Sequence, residues 1–262
     1  MSRFAVTTVK NNACAVLEKA KKWSEELQLP FVERKGGTLD SLMQANGLAG
    51  LIIAGAEGAE LYSASGRLFF HPGMSVLRIA GIMAGKSDRL VNAMQLKQGM
   101  SVLDCTLGMA ADAIVASFVA GDEGSVTALE AVMPLWFVMT QGLGHYEAEE
   151  EYVTKAMRRI KTVNEDFACY LKNAKSGSFD IIYFDPMFEY SIKGAGGIAA
   201  LKAVADNSPF DISVIWEAQR VARERVVVKL AASSKMFSGC DADYTNDGRY
   251  SNVKYAVFEA VK

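Results

Sequence analysis

The sequence lacks the residue patterns of a zinc site. Its 262 residues include only four cysteines and two histidines, and no two of the cysteines form a C-x-x-C pair. Scattered single cysteines fit a reducing cytosol, where each is ordinarily a small buried apolar residue. The sequence therefore predicts a cytoplasmic protein without a metal site.

Long hydrophobic runs and an excess of positive charge are missing as well. No apolar run approaches the roughly 18 residues that cross a membrane, and the segment Met1–Val6 lacks the apolar stretch of a signal peptide. The formal net charge is −2, which argues against a protein held on nucleic acid by a general positive field. We expect no membrane partner, while a local basic patch remains compatible with this charge.

Two common nucleotide-binding signatures are also absent. The chain has no G-x-x-x-x-G-K-[ST] segment, so a P-loop is not expected. The segment 104–112 is the best candidate for a glycine loop, but Gly108 is its single glycine, where a dinucleotide site would show G-x-G-x-x-G. That difference disfavours NAD or FAD, because the three glycines bring backbone against a pyrophosphate.

What the chain does have is a full complement of core residues arranged as alternating elements. Half of its residues are hydrophobic and 22% are charged. Residues 1–84 have the pattern of a small α+β subdomain with a meander of short strands. From residue 85 onward strands alternate with helices, which predicts right-handed βαβ crossovers and a parallel sheet in an α/β domain over 85–262. The predicted strands of this domain cover 101–105, 125–130, 160–164, 179–185 and 224–230. Its predicted helices cover 88–94, 110–120, 132–143, 147–157, 166–172, 197–205 and 210–222. The alternating pattern over 250–261 predicts antiparallel strand pairing at the end of the chain.

Two of these strands end abruptly in small or acidic residues. The first is followed by D-C-T-L-G-M-A-A-D at 104–112, and the second ends in I-I-Y-F-D-P-M-F at 181–188. At the carboxyl edge of a parallel sheet such ends open onto a ligand crevice. Gly108 allows close backbone approach, and the helix that follows offers N–H groups. The first loop thus favours a nucleoside-like cofactor, and the second favours a flat polar substrate.

Acidic residues also stand at the carboxyl ends of the predicted strands 125–130 and 160–164. Glu130 ends the first of these strands and could accept hydrogen bonds from both ribose hydroxyls. Asp166 follows the other and could accept one from an adenine amino group. Glu130 and Asp166 could instead each lie in a solvated loop. Asp104 could cap a helix, and Asp112 could favour the dipole of the helix that it begins. In order behind the glycine loop, Glu130 and Asp166 favour the cofactor hypothesis.

Three segments together resemble a known family. D-C-T-L-G-M-A-A-D, I-I-Y-F-D-P-M-F and R-V-V-V-K at 225–229 are similar, in order and spacing, to class I S-adenosylmethionine (SAM)-dependent methyltransferases. More narrowly, the chain resembles the small-subunit ribosomal RNA guanine-N2 methyltransferases designated J and their Gram-positive relatives, over most of residues 67–230. The resemblance implies a doubly wound, Rossmann-like methyltransferase sheet, SAM as cofactor and small-subunit RNA as partner. By analogy with the family, the subdomain of residues 1–84 would recognise that RNA.

The resemblance also implies which residues hold the cofactor. Glu130 would bind the ribose hydroxyls, and Asp166 would lie near the adenine. The methionine and ribose part would be surrounded by residues of the glycine loop, namely Asp104, Thr106, Gly108 and Asp112.

The acceptor amine is expected at the D-P-M-F segment. Asp185 and the Pro186 carbonyl would each accept one N–H of the amine, which supports the positive charge that develops on its nitrogen. Phe188 would stack on the extruded base. Lys229 could touch RNA phosphate, or be a solvated strand-end lysine. His71 could belong to the substrate surface, or be a structural loop residue.

The sequence therefore predicts a SAM-dependent methyltransferase for an exocyclic base amine, namely guanine N2 of small-subunit rRNA. One alternative keeps the cofactor and changes the acceptor to a protein amide or a small-molecule nitrogen. Another is a non-catalytic module that binds the cofactor or RNA as a scaffold. The acids at 104, 112, 130 and 185 argue against the scaffold.

Overall fold

The structure is a computed structural model, and it describes residues 3–10, 13–186, 210, 212–240, 242–245 and 252–261. Phe188 and the helix predicted over 197–205 lie outside the described residues. The chain divides into two compact units. The first unit includes the chain up to His71 and Val132–Tyr146. The second includes Pro72–Ala131, residues 147–186 and the described residues from 210 onward.

The first unit is built on a four-stranded sheet with the order β1–β2–β3–β4. Strand β2 runs parallel to β1 and antiparallel to β3, and β4 completes the predicted antiparallel meander. Strand β2, with the sequence G-L-I-I-A, is buried along its whole length, so it forms the centre of this unit's core. The strands are β1 (Phe4–Thr8), β2 (Gly50–Ala54), β3 (Ala59–Ser63) and β4 (Gly66–Phe69).

Two helices join the first strands of that sheet, and one more belongs to the same unit. Thr38 caps the second helix, because its side chain accepts a hydrogen bond from the Ser41 N–H at 3.1 Å. Leu39 and Met43 of this helix pack with Leu51 of the sheet. The helices are α1 (Cys14–Glu26), α2 (Leu39–Asn46) and, after the strands of this unit, α6 (Met133–His145).

The second unit contains a mixed, mostly parallel seven-stranded sheet, as the alternating pattern predicts. Its strand order is β10–β11–β9–β8–β5–β6–β7. The five strands from β9 to β7 are parallel, and β11 and β10 pair antiparallel at one edge. The strands are β5 (Ser101–Asp104), β6 (Ser125–Leu129), β7 (Ile160–Val163), β8 (Phe179–Phe184), β9 (Ala222–Ala231), β10 (Asp243–Thr245) and β11 (Val253–Glu259).

Helices of the second unit connect these strands or precede them. Sequence patterns predict most of them, but not α3, which precedes the sheet. None of the helices in the described part of the chain is both long and apolar enough to span a bilayer. The domain boundary after residue 84 stays a prediction. The helices are α3 (Gly73–Met83), α4 (Arg89–Met94), α5 (Ala111–Ala120), α7 (Glu151–Arg158), α8 (Phe167–Asn173) and α9 (Ser213–Val221).

The order of the strands creates a switch point between β5 and β8. From β5 the chain moves to β6 and β7 on one side, and then returns to β8 on the other side of β5. Ligands of open α/β sheets bind outside the carboxyl ends of the strands at such a point. Asp104 stands opposite Tyr183 in the register of β5 and β8. The two loops that follow these strands therefore start side by side at the same edge of the sheet.

Candidate active site

The turn after β5 is organised around Asp104. This residue is only 2% exposed, and its Oδ1 accepts hydrogen bonds from the Thr106 N–H at 2.9 Å and the Thr106 hydroxyl at 3.4 Å. Burial raises the pKa of Asp104 to about 7, and the carboxylates of Asp112 and Asp185 add to that rise. The site therefore holds a carboxyl group that titrates near neutral pH.

The rest of the turn uses two left-handed residues to reach α5. Gly108 has φ +49° and Ala110 has φ +62°, a conformation that costs a non-glycine residue roughly 1–2 kcal/mol. A Cβ added at Gly108 would meet only the Thr106 carbonyl, at 3.7 Å, so there is open space beside the backbone there. Asp112 follows in the first turn of α5. The predicted glycine loop is thus a tight turn with room beside Gly108.

The loop after β8 is joined directly to this turn. The Asp185 N–H donates to Thr106 Oγ1 at 2.6 Å, and the Cys105 N–H donates to the Tyr183 carbonyl at 2.8 Å. The Asp185 side chain is 38% exposed, and Pro186 beside it is half-buried. The two loops singled out in the sequence therefore lie side by side at the switch point.

A lysine from β9 joins two carboxylates of the site. Lys229 Nζ lies 2.8 Å from Asp185 Oδ2 and 3.0 Å from Asp112 Oδ2. The Tyr183 hydroxyl donates to the same Asp112 oxygen at 2.7 Å, and the Arg78 guanidinium pairs with Asp112 Oδ1. Sequence reasoning singled out Lys229 and Asp112 but not Tyr183 or Arg78, although each is a lone polar residue in an apolar run.

Arg78 is itself held by a second aspartate. Its Nε and Nη2 lie 2.7 and 2.8 Å from the two carboxylate oxygens of Asp88. Asp88 Oδ1 also accepts from the N–H groups of Leu90 and Val91, at 3.0 and 3.2 Å, and so caps α4. The Asp88 side chain is only 11% exposed. Asp88 therefore ties α4 to the ion pairs of the site.

These partners set the protonation of the charged groups. Burial would raise the pKa of Asp112, but the neighbouring Lys229 and Arg78 outweigh it and lower that pKa to about 2. For Asp185, burial together with Asp112 outweighs Lys229 and raises its pKa. Burial opposes the charge of Lys229, yet the two carboxylates raise its pKa above the ordinary lysine value. Asp112 and Lys229 are consequently ionised throughout the neutral range.

Two further predicted cofactor residues follow neighbouring strands. Glu130 directly follows β6, with its carbonyl accepting from Asn164 Nδ2 at 2.7 Å and its N–H donating to the Val163 carbonyl at 3.1 Å. Asp166 caps α8, because its Oδ1 accepts from the N–H groups of Ala168 and Cys169 at 2.9 and 3.1 Å. Both lie after strands on the same side of β5, and their cofactor roles stay predictions.

Of the remaining predicted substrate residues, the described contacts bring Lys229 to this site and do not bring His71 there. His71 belongs to the first unit, where its ring contacts that of Tyr146 at 5.5 Å between centroids. Phe188 lies outside the described residues. Lys229, in contrast, contacts carboxylates of the site and is not merely a solvated residue at a strand end. The substrate roles of these three residues stay predictions.

Comparisons with known proteins agree on one family. Residues 70–259 match the model of a family described as "Putative SAM-dependent methyltransferase". The chain is 35% identical over 225 residues to "Uncharacterized protein YpiP" of Bacillus subtilis, covering 86% of this chain and 87% of that protein. It is 25% identical over 257 residues to "Ribosomal RNA small subunit methyltransferase J" of Pseudomonas fluorescens, covering 93% and 92%.

A solved structure shares the fold over nearly the whole chain. The crystal structure of a SAM-dependent methyltransferase from Neisseria gonorrhoeae superimposes with a TM-score of 0.63 at 15% sequence identity. The match covers 98% of this chain and 96% of that one. The architecture described above is therefore that of a known methyltransferase fold.

Proposed function

We propose that this chain, which belongs to the family of SAM-dependent methyltransferases, methylates an exocyclic amine of an RNA base. The acceptor that we propose is guanine N2 in small-subunit rRNA. The observation that carries the proposal is the 2.6 Å hydrogen bond from the Asp185 N–H to Thr106 Oγ1. It holds the turn after β5 against the D-P loop after β8, so that a methyl donor on one and an amine on the other would meet at the switch point. The name of the Pseudomonas fluorescens relative supports RNA as the acceptor.

The residues at the ends of β5 and β6 fit the cofactor of the family. When bound, SAM supplies an electrophilic methyl group on a positively charged sulfur. A cationic ligand matches a crevice edged by the buried carboxyl of Asp104 and by Glu130, and Gly108 leaves room beside its backbone. We assign the cofactor to Asp104, Thr106, Gly108 and Glu130, with Asp166 beside its base.

Asp185 and Pro186 are the residues we assign to the acceptor amine. An aromatic amine is a weak nucleophile because its lone pair is delocalised into the ring. Asp185 Oδ1 accepts one N–H and the Pro186 carbonyl the other, which localises the lone pair on the nitrogen for attack. The amine nitrogen would become positive on receiving the methyl group, and Asp185 would stabilise that charge and take the departing proton. Stacking of the base on Phe188 stays a prediction.

The proposal is tested by comparing two aspartate variants in methyl transfer from radiolabelled SAM. The acceptor is the small ribosomal subunit from a strain that lacks this protein. Asp185→Ala is expected to lower transfer about 100-fold or more, since it removes a group that acts on the developing charge, while SAM still binds. Asp122→Ala removes a carboxylate that is 86% exposed and is expected to transfer like the unmodified protein.

Three outcomes would contradict the proposal in different ways. Full transfer by folded Asp185→Ala would remove Asp185 from the site. Label that enters a protein or small-molecule fraction, and not RNA, would favour the alternative acceptors. Binding of SAM without transfer to any cellular fraction would favour a scaffold.

A further inference from the structure

The ammonium of Lys229 contacts the carboxylates of both Asp112 and Asp185, and Asp112 also pairs with Arg78. This difference in partners suggests that the two carboxylates have different roles. We propose that Lys229 is a positioning residue that orients Asp185 and keeps it ionised, and that Asp112 anchors Lys229 without touching the cofactor. The inference rests on the proposed role of Asp185 in binding the amine. It gives Asp112 and Lys229 roles that differ from those implied by the family resemblance.

The geometry places Lys229 beside Asp185 for a simple reason. Strands β8 and β9 are parallel neighbours in which Tyr183 pairs with Val227 and Phe184 with Val228. Continuing this register brings Lys229 level with Asp185, where its Nζ lies 2.8 Å from Oδ2. The contact occupies Oδ2, which leaves Oδ1 for the amine that the proposed function assigns to it.

Asp112 has the partners expected of an anchor. Its Oδ1 pairs with Arg78, and its Oδ2 accepts from the Tyr183 hydroxyl at 2.7 Å and from Lys229 at 3.0 Å. Its side chain is 13% exposed. Two cations already compensate its single charge, so it has little attraction left for a cationic ligand. Asp104, by contrast, has only Thr106 among the hydrogen-bond donors of the described residues.

The anchor extends through several elements, which fixes the ammonium in place. Arg78 on α3 is held by Asp88 at the start of α4 and contacts Asp112 on α5. Tyr183 on β8 contacts the same carboxylate. A lysine side chain has four rotatable bonds and would otherwise sample many positions. Tying Asp112 from both sides therefore determines where the Lys229 ammonium meets Asp185.

The charge of Lys229 matters because the other groups around Asp185 oppose its ionisation. Among the described residues, the titratable groups that act on the pKa of Asp185 are Lys229 on β9 and Asp112 on α5. Asp104 at the end of β5 and Tyr183 on β8 also face it, and Asp185 raises the pKa of each. Burial and Asp112 raise the pKa of Asp185, and Lys229 lowers it. Without the ammonium, Asp185 would hold its proton to higher pH, and the protonated carboxyl group could not take the proton that the amine loses.

The first test follows the pH dependence of methyl transfer in Lys229→Met. The acidic limb of the kcat/KM profile is expected to move up by about one pH unit or more, because an opposite charge at this distance ordinarily lowers a carboxyl pKa by about 1–3 units. The Kd for SAM is expected to stay within about threefold. Lys229→Arg keeps the charge and is expected to restore the limb. Arg225→Met removes a cation from the same face of β9, where it pairs with Glu259 at 3.6 Å, and is expected to leave the limb in place.

A second readout needs no acceptor and so separates this inference from the proposed function. The carboxyl carbon of Asp185, assigned by the signal lost in Asp185→Asn, is titrated by NMR in the full chain. Its apparent pKa is expected to be higher in Lys229→Met, or in Lys229→Gln should the first variant not fold, than in the unmodified protein. An unchanged apparent pKa, or a loss of SAM affinity that matches the loss of transfer, would overturn the role of Lys229.

The anchor role of Asp112 has its own test in SAM affinity. Asp112→Asn is expected to keep the Kd within about threefold, because the inference places no cofactor contact on this carboxylate. Glu130→Gln provides the comparison, since the proposed function places it on the cofactor, and a loss of about tenfold is expected there. An Asp112→Asn variant that loses as much SAM affinity as Glu130→Gln would overturn the assignment.

Discussion

At the residue scale, three aspartates at one edge of a sheet differ in charge because they differ in partners. Asp112 faces two cations, and its pKa falls to about 2. Asp104 is buried with Thr106 as its hydrogen-bond donor and lies near two other carboxylates, and its pKa rises to about 7. Asp185 is raised as well, although Lys229 limits the rise. The same residue type therefore supplies an anchor, a group that titrates near neutrality and an acceptor of hydrogen bonds.

The raised pKa of Asp104 predicts how stability depends on pH. Its pKa is about 7 in the folded chain and about 3.9 when unfolded, so the folded state binds the proton more tightly. The stabilisation is fully present below about pH 4 and is lost as pH rises through 7, at up to about 1.4 kcal/mol per pH unit between these values. Asp185 adds to the same trend, whereas Asp112 acts only at lower pH because its pKa is lowered.

Asp104→Asn is the variant that isolates this effect. Urea unfolding without cofactor, measured between pH 5 and pH 8, is expected to show a free energy of unfolding that falls less steeply with pH in Asp104→Asn than in the unmodified chain. Identical slopes for the two proteins would mean that Asp104 is ionised at all these pH values in the folded state.

The site residues divide clearly into those that sequence reveals and those that it does not. Asp104, Thr106 and Asp185 are evident because each follows an apolar strand at the point where a parallel sheet opens. Arg78 and Asp88 come from a helix and a helix cap that precede the sheet, and nothing in their local sequence indicates that they meet Asp112. Ala110 takes a left-handed conformation without the glycine that ordinarily signals it.

At the scale of elements, Asp88 links the start of α4 to the charged network. It caps that helix and also binds Arg78 in a largely buried ion pair. Asp166 caps α8 in the same way, with an Asp carboxylate and two N–H donors, but without an arginine partner among the described contacts. A comparison of Asp88 with Asp166 therefore separates the effect of the ion pair from that of the helix cap.

The two caps predict different losses of stability on substitution by alanine. Asp166→Ala removes a cap and is expected to cost about 1 kcal/mol. Asp88→Ala removes a cap and also one of the two carboxylates that pair with Arg78, whose side chain is only 22% exposed. It is expected to lower the free energy of unfolding by about 2–4 kcal/mol. Urea unfolding at neutral pH measures both. Equal losses would show that the Arg78 contact adds nothing to the cap.

Element boundaries followed the sequence patterns closely for strands and less well for one helix. Strands such as β8 are apolar runs with clear ends, so their limits are visible. Helix α3 is hidden because it begins at Gly73 and keeps Met74 and Leu77 on its exposed side, at 65% and 69% exposure. These exposed apolar residues remove the contrast between faces by which an amphipathic helix is recognised.

At the scale of the whole molecule, the alternation of strands and helices predicts a parallel sheet, and the alternating pattern at the C-terminal end predicts antiparallel pairing at its edge. Both predictions are confirmed. The identity of the acceptor does not follow from the fold, because a fold of this class serves many chemistries and function depends on the groups at the site. Recognition of RNA by residues 1–84 stays a prediction, and an assay on the acceptor identifies the atom that is methylated.

The most direct test of the account is therefore nucleoside analysis of the product. Small ribosomal subunits from a strain lacking this protein are incubated with the protein and SAM, and the RNA is digested and analysed by mass spectrometry. We expect new N2-methylguanosine with the unmodified chain and none with Asp185→Ala. RNA without any added methyl group, from a protein that measurably binds SAM, would contradict this expectation.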